Sequence, residues 1–204
     1  LLLIDLARPE NNLVSGTPDT FSGIENLRGR RYSPYDRDIF YGTNEDNTLS
    51  SRTLASLHGR GGDDILKGGQ FNRLDGGPGN DLLIGSNDID HLIFSARLDA
   101  DTNVDRVRNF SGDWLWLDDR YMPELTTKSV KIDIDFEVPN IALPKAMFWA
   151  SLDGKAHDKS DRVLYDTDAG RLYYDPDGIG GEGRTLFAKI NGAPSLDYTD
   201  FWII

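Results

Sequence analysis

Four consecutive units, GRGGDDILK (59–67), GGQFNRLD (68–75), GGPGNDLLI (76–84) and GSNDIDHLI (85–93), decide how this chain is read. Three are nonapeptides and one is an octapeptide. Each carries Gly-rich, polar residues first and then a short segment around one large apolar residue: Leu66, Leu74, Leu83 and Leu92. Unit 76–84 fits G-G-x-G-x-D-x-U-x, with U a large apolar residue, at every defined position, and unit 59–67 departs only at Arg60. Unit 85–93 keeps Gly85, Asp90 and Leu92. Upstream, GTNEDNTLS (42–50) and SRTLASLH (51–58) continue the phase with Leu49 and Leu57, and Asp38-Ile39-Phe40-Tyr41 again reads acid, x, apolar. The periodic region spans 29–94.

The composition around these units is lopsided. Over 204 residues the formal charge is −12, there is no cysteine, and the 34 acids comprise 28 Asp and 6 Glu. Asp and Gly are turn residues, whereas acids on solvated helix faces favour Glu. The 21 glycines, many beside an Asp, therefore mean tight turns carrying carboxylates. Absence of Cys excludes disulfides, thiolate metal sites and a thiol nucleophile. The charge argues against nucleic acid, whose phosphates require clustered Lys and Arg, and no apolar run is long enough to insert in a membrane. Multivalent cations are the partners that such a charge favours.

The nonapeptide resembles the calcium-binding repeat of RTX (hemolysin-type) proteins. The resemblance implies an all-β chain, in which paired glycines turn each unit at positive φ. The three residues after each turn form a strand with its middle side chain inward. Successive strands fall on opposite sides, so two units make one coil of a calcium-binding parallel β-roll. It further implies Ca²⁺ between same-side turns, held by carbonyls and Asp. Carried over, the principal site is Arg60 O, Gly62 O, Asp64, Gly76 O, Pro78 O and Asp81. Gly59, Gly61 and Asp64 could close a second site with Thr43, Glu45 and Asn47. On the opposite side Gly85, Asn87 and Asp90 face Gly69 and Asn72. Gly77, Gly79 and Asp81 need a partner beyond residue 94, for which Asp105 in NVDRVRNF is the candidate.

Outside the array, residues 1–28 read as a lead-in that caps the roll, since repeat arrays need atypical terminal units. After 94 the period is lost. VDRVRNF, DWLWLDD, VKIDIDFEV, DRVLYDT, RLYYDPD and TLFAKI read as strands, giving 95–204 as a mostly antiparallel β cap. YDTDAGRLYYD reads as a hairpin turning at Asp168 to Gly170, and the best helix signals are Pro144 to Ser151 and Ser195 to Asp200. The tail DRVLYDTDAGRLYYDPDGIGGEGRTLFAKINGAPSLDYTDFWII resembles the C-termini of type I-secreted calcium-binding proteins, which implies an ABC-type exporter as partner and an extracellular location. The opening LLLIDLARPE has no basic segment and no Met, and the chain is expected to be the C-terminal piece of a longer protein.

No catalytic set emerges: His58, His91 and His157 are scattered, and neither H-E-x-x-H nor G-x-S-x-G occurs. His58 and His91 are expected to be solvated. Asp175-x-Asp177-Gly178 starts like an EF-hand loop but lacks its third acid and terminal Glu. The function expected is a calcium-binding module that folds on extracellular Ca²⁺ and supports secretion of a larger protein. The alternative is a polysaccharide-binding or carbohydrate-processing accessory module with exposed aromatic residues as its platform.

Overall fold

The computed structural model describes residues 3–8, 13–14, 17–18, 26–28, 38–125, 141–180 and 183–204. The expected strand VKIDIDFEV (130–138) lies outside the described residues, as does most of the lead-in. The chain is mostly β, arranged in two mixed sheets. Its helical segments, among the described residues, are single 3-10 turns at Pro123–Leu125, Lys145–Met147 and Tyr198–Asp200.

From Asp38 to Leu117 consecutive strands alternate between the sheets. Asp38–Tyr41, Ala55–His58, Arg73–Asp75, His91–Phe94 and Trp114–Leu117 lie side by side in the first. Thr48–Ser50, Ile65–Lys67, Leu82–Ile84 and Asp105–Arg108 lie side by side in the second. Every neighbouring pair in these two runs is parallel. The middle residue of each strand registers on that of the next. Phe40, Leu57, Leu74, Leu92, Leu115 and Phe201 form one column. Leu49, Leu66, Leu83, Val107 and Ile190 form the other. Both columns belong to one core, with every member but Ile190 at 0% exposure. Each fully buried Leu contributes roughly 1.5–3 kcal/mol relative to an exposed one, so the spacing of these residues, more than strand propensity, fixes the winding.

The sequence period ends at 94 but the alternation does not. The longer connection 95–104 lengthens one turn while Asp105–Arg108 and Trp114–Leu117 still take their places in the two sheets. Thr185–Ile190 then pairs parallel with Asp105–Arg108, and Phe201–Ile203 pairs parallel with Trp114–Leu117. The region after 94 is therefore mixed, where a mostly antiparallel cap was expected. Its antiparallel pairs are Ile141–Ala142 on Phe201–Ile203, and the meander Val163–Asp166, Arg171–Tyr174, Thr185–Ile190. The expected hairpin turns over Asp168 to Gly170, with Asp166 opposite Arg171. Phe148–Ser151 adds a parallel edge to the meander.

At the other end the lead-in supplies a strand to each sheet. Leu3–Asp5 pairs with Ile39 to Tyr41, and Asn26–Arg28 pairs with Thr48–Ser50. Both helix signals shorten to one turn because the residues that follow join strands. Asp197 and Asp200 form a reciprocal capping box around Tyr198–Asp200, but Phe201 and Ile203 are fully buried as the next strand.

Candidate metal centre

The turns preceding the strands stack as the strands do, and their acids form two ladders. In the first, the backbone N–H of Asn47 donates to Asp64 Oδ1 at 2.6 Å, that of Asp64 to Asp81 Oδ1 at 2.7 Å, and that of Asp81 to Asp105 Oδ1 at 3.0 Å. In the second, Ala55 donates to Asn72 Oδ1 at 2.9 Å, Asn72 to Asp90 Oδ1 at 2.8 Å, and Asp90 to Asp113 Oδ1 at 2.8 Å. Each ladder acid is inserted under the residue one coil earlier, and Asp64, Asp81, Asp90 and Asp113 are all 1% exposed or less.

The ladders differ in what the other side-chain oxygen does. Ser86 N–H donates to Asp90 Oδ2 at 2.8 Å and Ser111 N–H to Asp113 Oδ2 at 3.1 Å. In the Asn47 turn Thr43 N–H donates to the amide oxygen at 2.6 Å. Asp64 Oδ2 and Asp81 Oδ2, by contrast, are buried with no hydrogen-bond partner. The backbone explains this. Arg60 stands at φ 76° and Gly77 at φ 88°, so the residue after the leading glycine is left-handed in these two turns and its N–H is not directed at its own acid. Ser86, Ser111 and Thr43 are not among the positive-φ residues.

The same two turns press carbonyls together. A Cβ on Gly77 would lie 2.0 Å from Arg60 O, and one on Gly79 2.0 Å from Gly62 O. A Cβ on Gly59 would meet Asp64 Oδ2 at 2.1 Å and Gly76 O at 2.6 Å. Gly76 O thus lies near Asp64 Oδ2, Asp81 Oδ2 lies against Gly76, the carbonyls of Arg60 and Gly62 press on Gly77 and Gly79, and Pro78 O lies on the Gly61 side of the turn. The structure stacks turns 59–64 and 76–81, which carry the principal expected set, one on the other. Asp105 takes its place as the next rung beyond Asp81. Gly85, Asn87 and Asp90 form a turn stacked against Gly68 and Asn72, where both Asp90 oxygens already accept backbone N–H groups.

Burial is the main cause pushing Asp64 up to about 7, with Asp46 and Asp63 adding to it against the Asn47 hydrogen bond. Burial likewise takes Asp81 to about 7, opposed by the Asp64 N–H and reinforced by the charges of Asp64, Asp63 and Asp75. Asp105 is raised well above the carboxylate range by burial and by Asp81. Asp113, with its extra N–H donor, is raised only to about 6. The first ladder therefore concentrates negative charge where water cannot solvate it, and a cation there would relieve the cost.

Asp113 was not singled out in the sequence, although Asp113-Trp114-Leu115 repeats the acid-x-apolar triplet of Asp64-Ile65-Leu66. The expectation of solvated histidines is corrected. His58 is 8% exposed and stacks on Tyr41 at 4.7 Å; His91 stacks between Trp114 and Trp116 at 5.2 and 4.3 Å. Both lie at outward strand positions on a first-sheet face where Ile39, Ile93 and Trp116 are also buried, so much of that face is covered. Asp175 spends its Oδ1 on the N–H groups of Asp177 and Gly178, a local turn. His157 gathers with Asp158 and Asp161, but Asp161 Oδ2 accepts the N–H groups of His157 and Asp158 at 2.6 and 2.9 Å. Comparison with protein-family models, with curated proteins and with solved structures found no match to this chain.

Proposed function

We propose that this chain is a calcium-binding module of the RTX type, a parallel β-roll in which Ca²⁺ seats between turns 59–64 and 76–81. The observation that carries the reading is the pair of buried, unpartnered oxygens, Asp64 Oδ2 and Asp81 Oδ2, in turns whose backbones press closely on one another. An unsatisfied buried carboxylate oxygen is costly. The second ladder avoids that cost with Ser N–H groups, and the first leaves it for a ligand. The donors are all oxygen, two of them anionic, which suits the six- to eight-coordinate Ca²⁺ ion better than metals that select nitrogen or sulfur. Arg60, Gly62, Gly76 and Pro78 would hold it through carbonyls, and Asp64 and Asp81 through carboxylates. The bound ion supplies charge neutralisation between coils.

Coupling of this binding to folding follows from the same charges. Without the ion, the ladder acids repel in a low-dielectric interior; with it, binding free energy adds to folding free energy. A chain that stays unfolded where calcium is scarce and closes where it is millimolar suits export through an ABC-type exporter to the cell exterior, the route that the Asp200-Phe201-Trp202-Ile203-Ile204 terminus suggests. Titration calorimetry and far-UV circular dichroism test the reading. Saturable Ca²⁺ uptake that Asp64→Asn and Asp81→Asn each weaken, with a gain of β signal, supports it. No uptake, or uptake indifferent to both substitutions, overturns it.

A further inference from the structure

A second site borders turns 59–64 and 76–81, on the outward face of the first sheet. Register places Asp5, Tyr41, His58 and Asp75 in one row across four adjacent strands. These are strand-end positions that the repeat does not specify. The row opens into a cleft of about 360 Å³ that Ser95, Arg97 and Tyr121 also line. That volume falls within the range of small-molecule sites.

The row is locked from both ends. Ser95 Oγ donates to both oxygens of Asp75, at 2.8 and 2.9 Å, and His58 Nδ1 stands 3.5 Å from Asp75 Oδ2. His58 stacks on Tyr41, and Arg60 lies 5.0 Å over the other partner of that stack, the Tyr41 ring. Arg60 is itself held by two 2.7 Å hydrogen bonds to Asp5 and one of 2.8 Å to Gly42 O. His58 and Asp75 are each 8% exposed. Side chains fixed before a ligand arrives cost it little ordering entropy. Across the cleft, Arg97 is exposed and Tyr121 is 39% exposed, while Asn103 Nδ2 holds the Arg97 carbonyl at 2.7 Å.

From this arrangement we infer that the cleft binds a hydroxyl-rich ring, one or two pyranose units of a saccharide. A pyranose has apolar C–H faces and an edge of hydroxyls that both donate and accept. Tyr121 offers an aromatic face, the Asp75 carboxylate accepts hydroxyl protons, and the Arg97 guanidinium donates to hydroxyl oxygens. A simple anion is disfavoured by Asp75 at the floor, and a purely apolar ligand would strand the polar row. The site holds its ligand without reacting. The Ser95 proton is held by Asp75, and His58 contacts that carboxylate and not the hydroxyl, so the imidazole is not placed to activate Ser95. The inference stands apart from the calcium reading and shares no residue of the proposed Ca²⁺ ligand set except Arg60 and Pro78, which enter that set through their carbonyls alone.

Methyl β-D-glucoside and methyl β-D-glucuronide, titrated separately into the ¹⁵N-labelled full chain in saturating calcium, test it. Saturable shifts of the Gly77, Ser95 and Ala96 amides with either ring are expected, weakened about fivefold or more by Tyr121→Ala and lost in Asp75→Asn. Tighter binding of the glucuronide that Arg97→Ala brings level with the glucoside identifies an acidic saccharide as the source of the ring, and equal binding identifies a neutral one. Failure of both rings to shift these amides at tens of millimolar, or shifts indifferent to Tyr121→Ala, overturns the inference. Tyr121 is a surface residue, so its variant reports on the cleft even if Asp75→Asn disturbs the fold. Calcium uptake, followed in parallel, separates this failure from failure of the metal site.

Discussion

Asp81 accepts the backbone N–H of Asp64, seventeen residues earlier, at 2.7 Å through Oδ1, and holds Oδ2 buried with no hydrogen-bond partner. One oxygen is committed to the coil above and the other is available to a ligand. The two functions of the acid, registering the coil and holding an ion, can thus be separated by substitution.

Asp81→Asn retains an acceptor for the Asp64 N–H but removes the charge. It should bind Ca²⁺ about tenfold or more weakly, since ligand charge count sets affinity in oxygen sites. Asp81→Ala should lose that affinity and also destabilise the calcium-free fold, by about 1–3 kcal/mol, by orphaning the Asp64 N–H. Asp113→Asn, where Ser111 already satisfies the second oxygen, should leave affinity unchanged. Calorimetric titration of the three variants checks the ranking, and equal affinities would refute it.

Gly77 and Gly79 sit at φ 88° and 146°, with a Cβ on either due to lie 2.0 Å from a carbonyl oxygen of the turn above. Gly77→Ala and Gly79→Ala should each cost more than the roughly 1–3 kcal/mol of a strained backbone alone, because the contact is with main chain. Gly183→Ala, which meets nothing within 4 Å, should be close to neutral. Urea melts in saturating calcium measure all three, and a neutral Gly77→Ala would show that the turns do not pack this closely.

Tyr165 donates its hydroxyl proton to Pro194 O at 2.8 Å, and burial together with the Asp166 charge pushes its ionisation up to about 12. A folded-state value above the ordinary tyrosine value of 10 means that this group's contribution is complete below pH 10 and is lost as pH rises from 10 through about 12. Tyr165→Phe should be less stable at pH 8 by about 1 kcal/mol, the net value of a hydrogen bond, and should lose less stability between pH 10 and 12. Parallel slopes for the two proteins over that interval would contradict the assignment.

Phe201 and Ile203 are fully buried beside Leu115 and Leu117. Deleting 200–204 should lower the calcium-bound melting temperature by several degrees at least, with each lost apolar side chain worth roughly 1.5–3 kcal/mol. On the secretion reading it should also abolish export through an ABC-type system. Normal export of the deletion from a cell with only that route would place the signal elsewhere.

The sequence by itself determined the apolar columns. Leu49, Leu57, Leu66, Leu74, Leu83 and Leu92 recur at one position of each unit, and a residue flanked by turn glycines and a two-residue alternation has one way to be buried. The repeat likewise marked Asp64, Asp81 and Asp90, because an acid two residues before an inward Leu is itself carried inward. Tertiary structure alone decided the rest. Loop 95–104 breaks the sequence period without breaking the stack, since a coil tolerates extra residues in its turns but not in its strands. That is why Asp113 joins a ladder that its spacing concealed. Which acid keeps an oxygen for a cation depends on whether a turn N–H is directed at that oxygen, as those of Ser86 and Ser111 are. That follows from a backbone angle, which composition does not carry. The burial of His58 and the cleft beside it arise from cross-strand register, which sets Asp5, Tyr41, His58 and Asp75 in one row although the neighbours Asp5 and Tyr41 stand 36 positions apart in the chain; only the folded coil makes them adjacent.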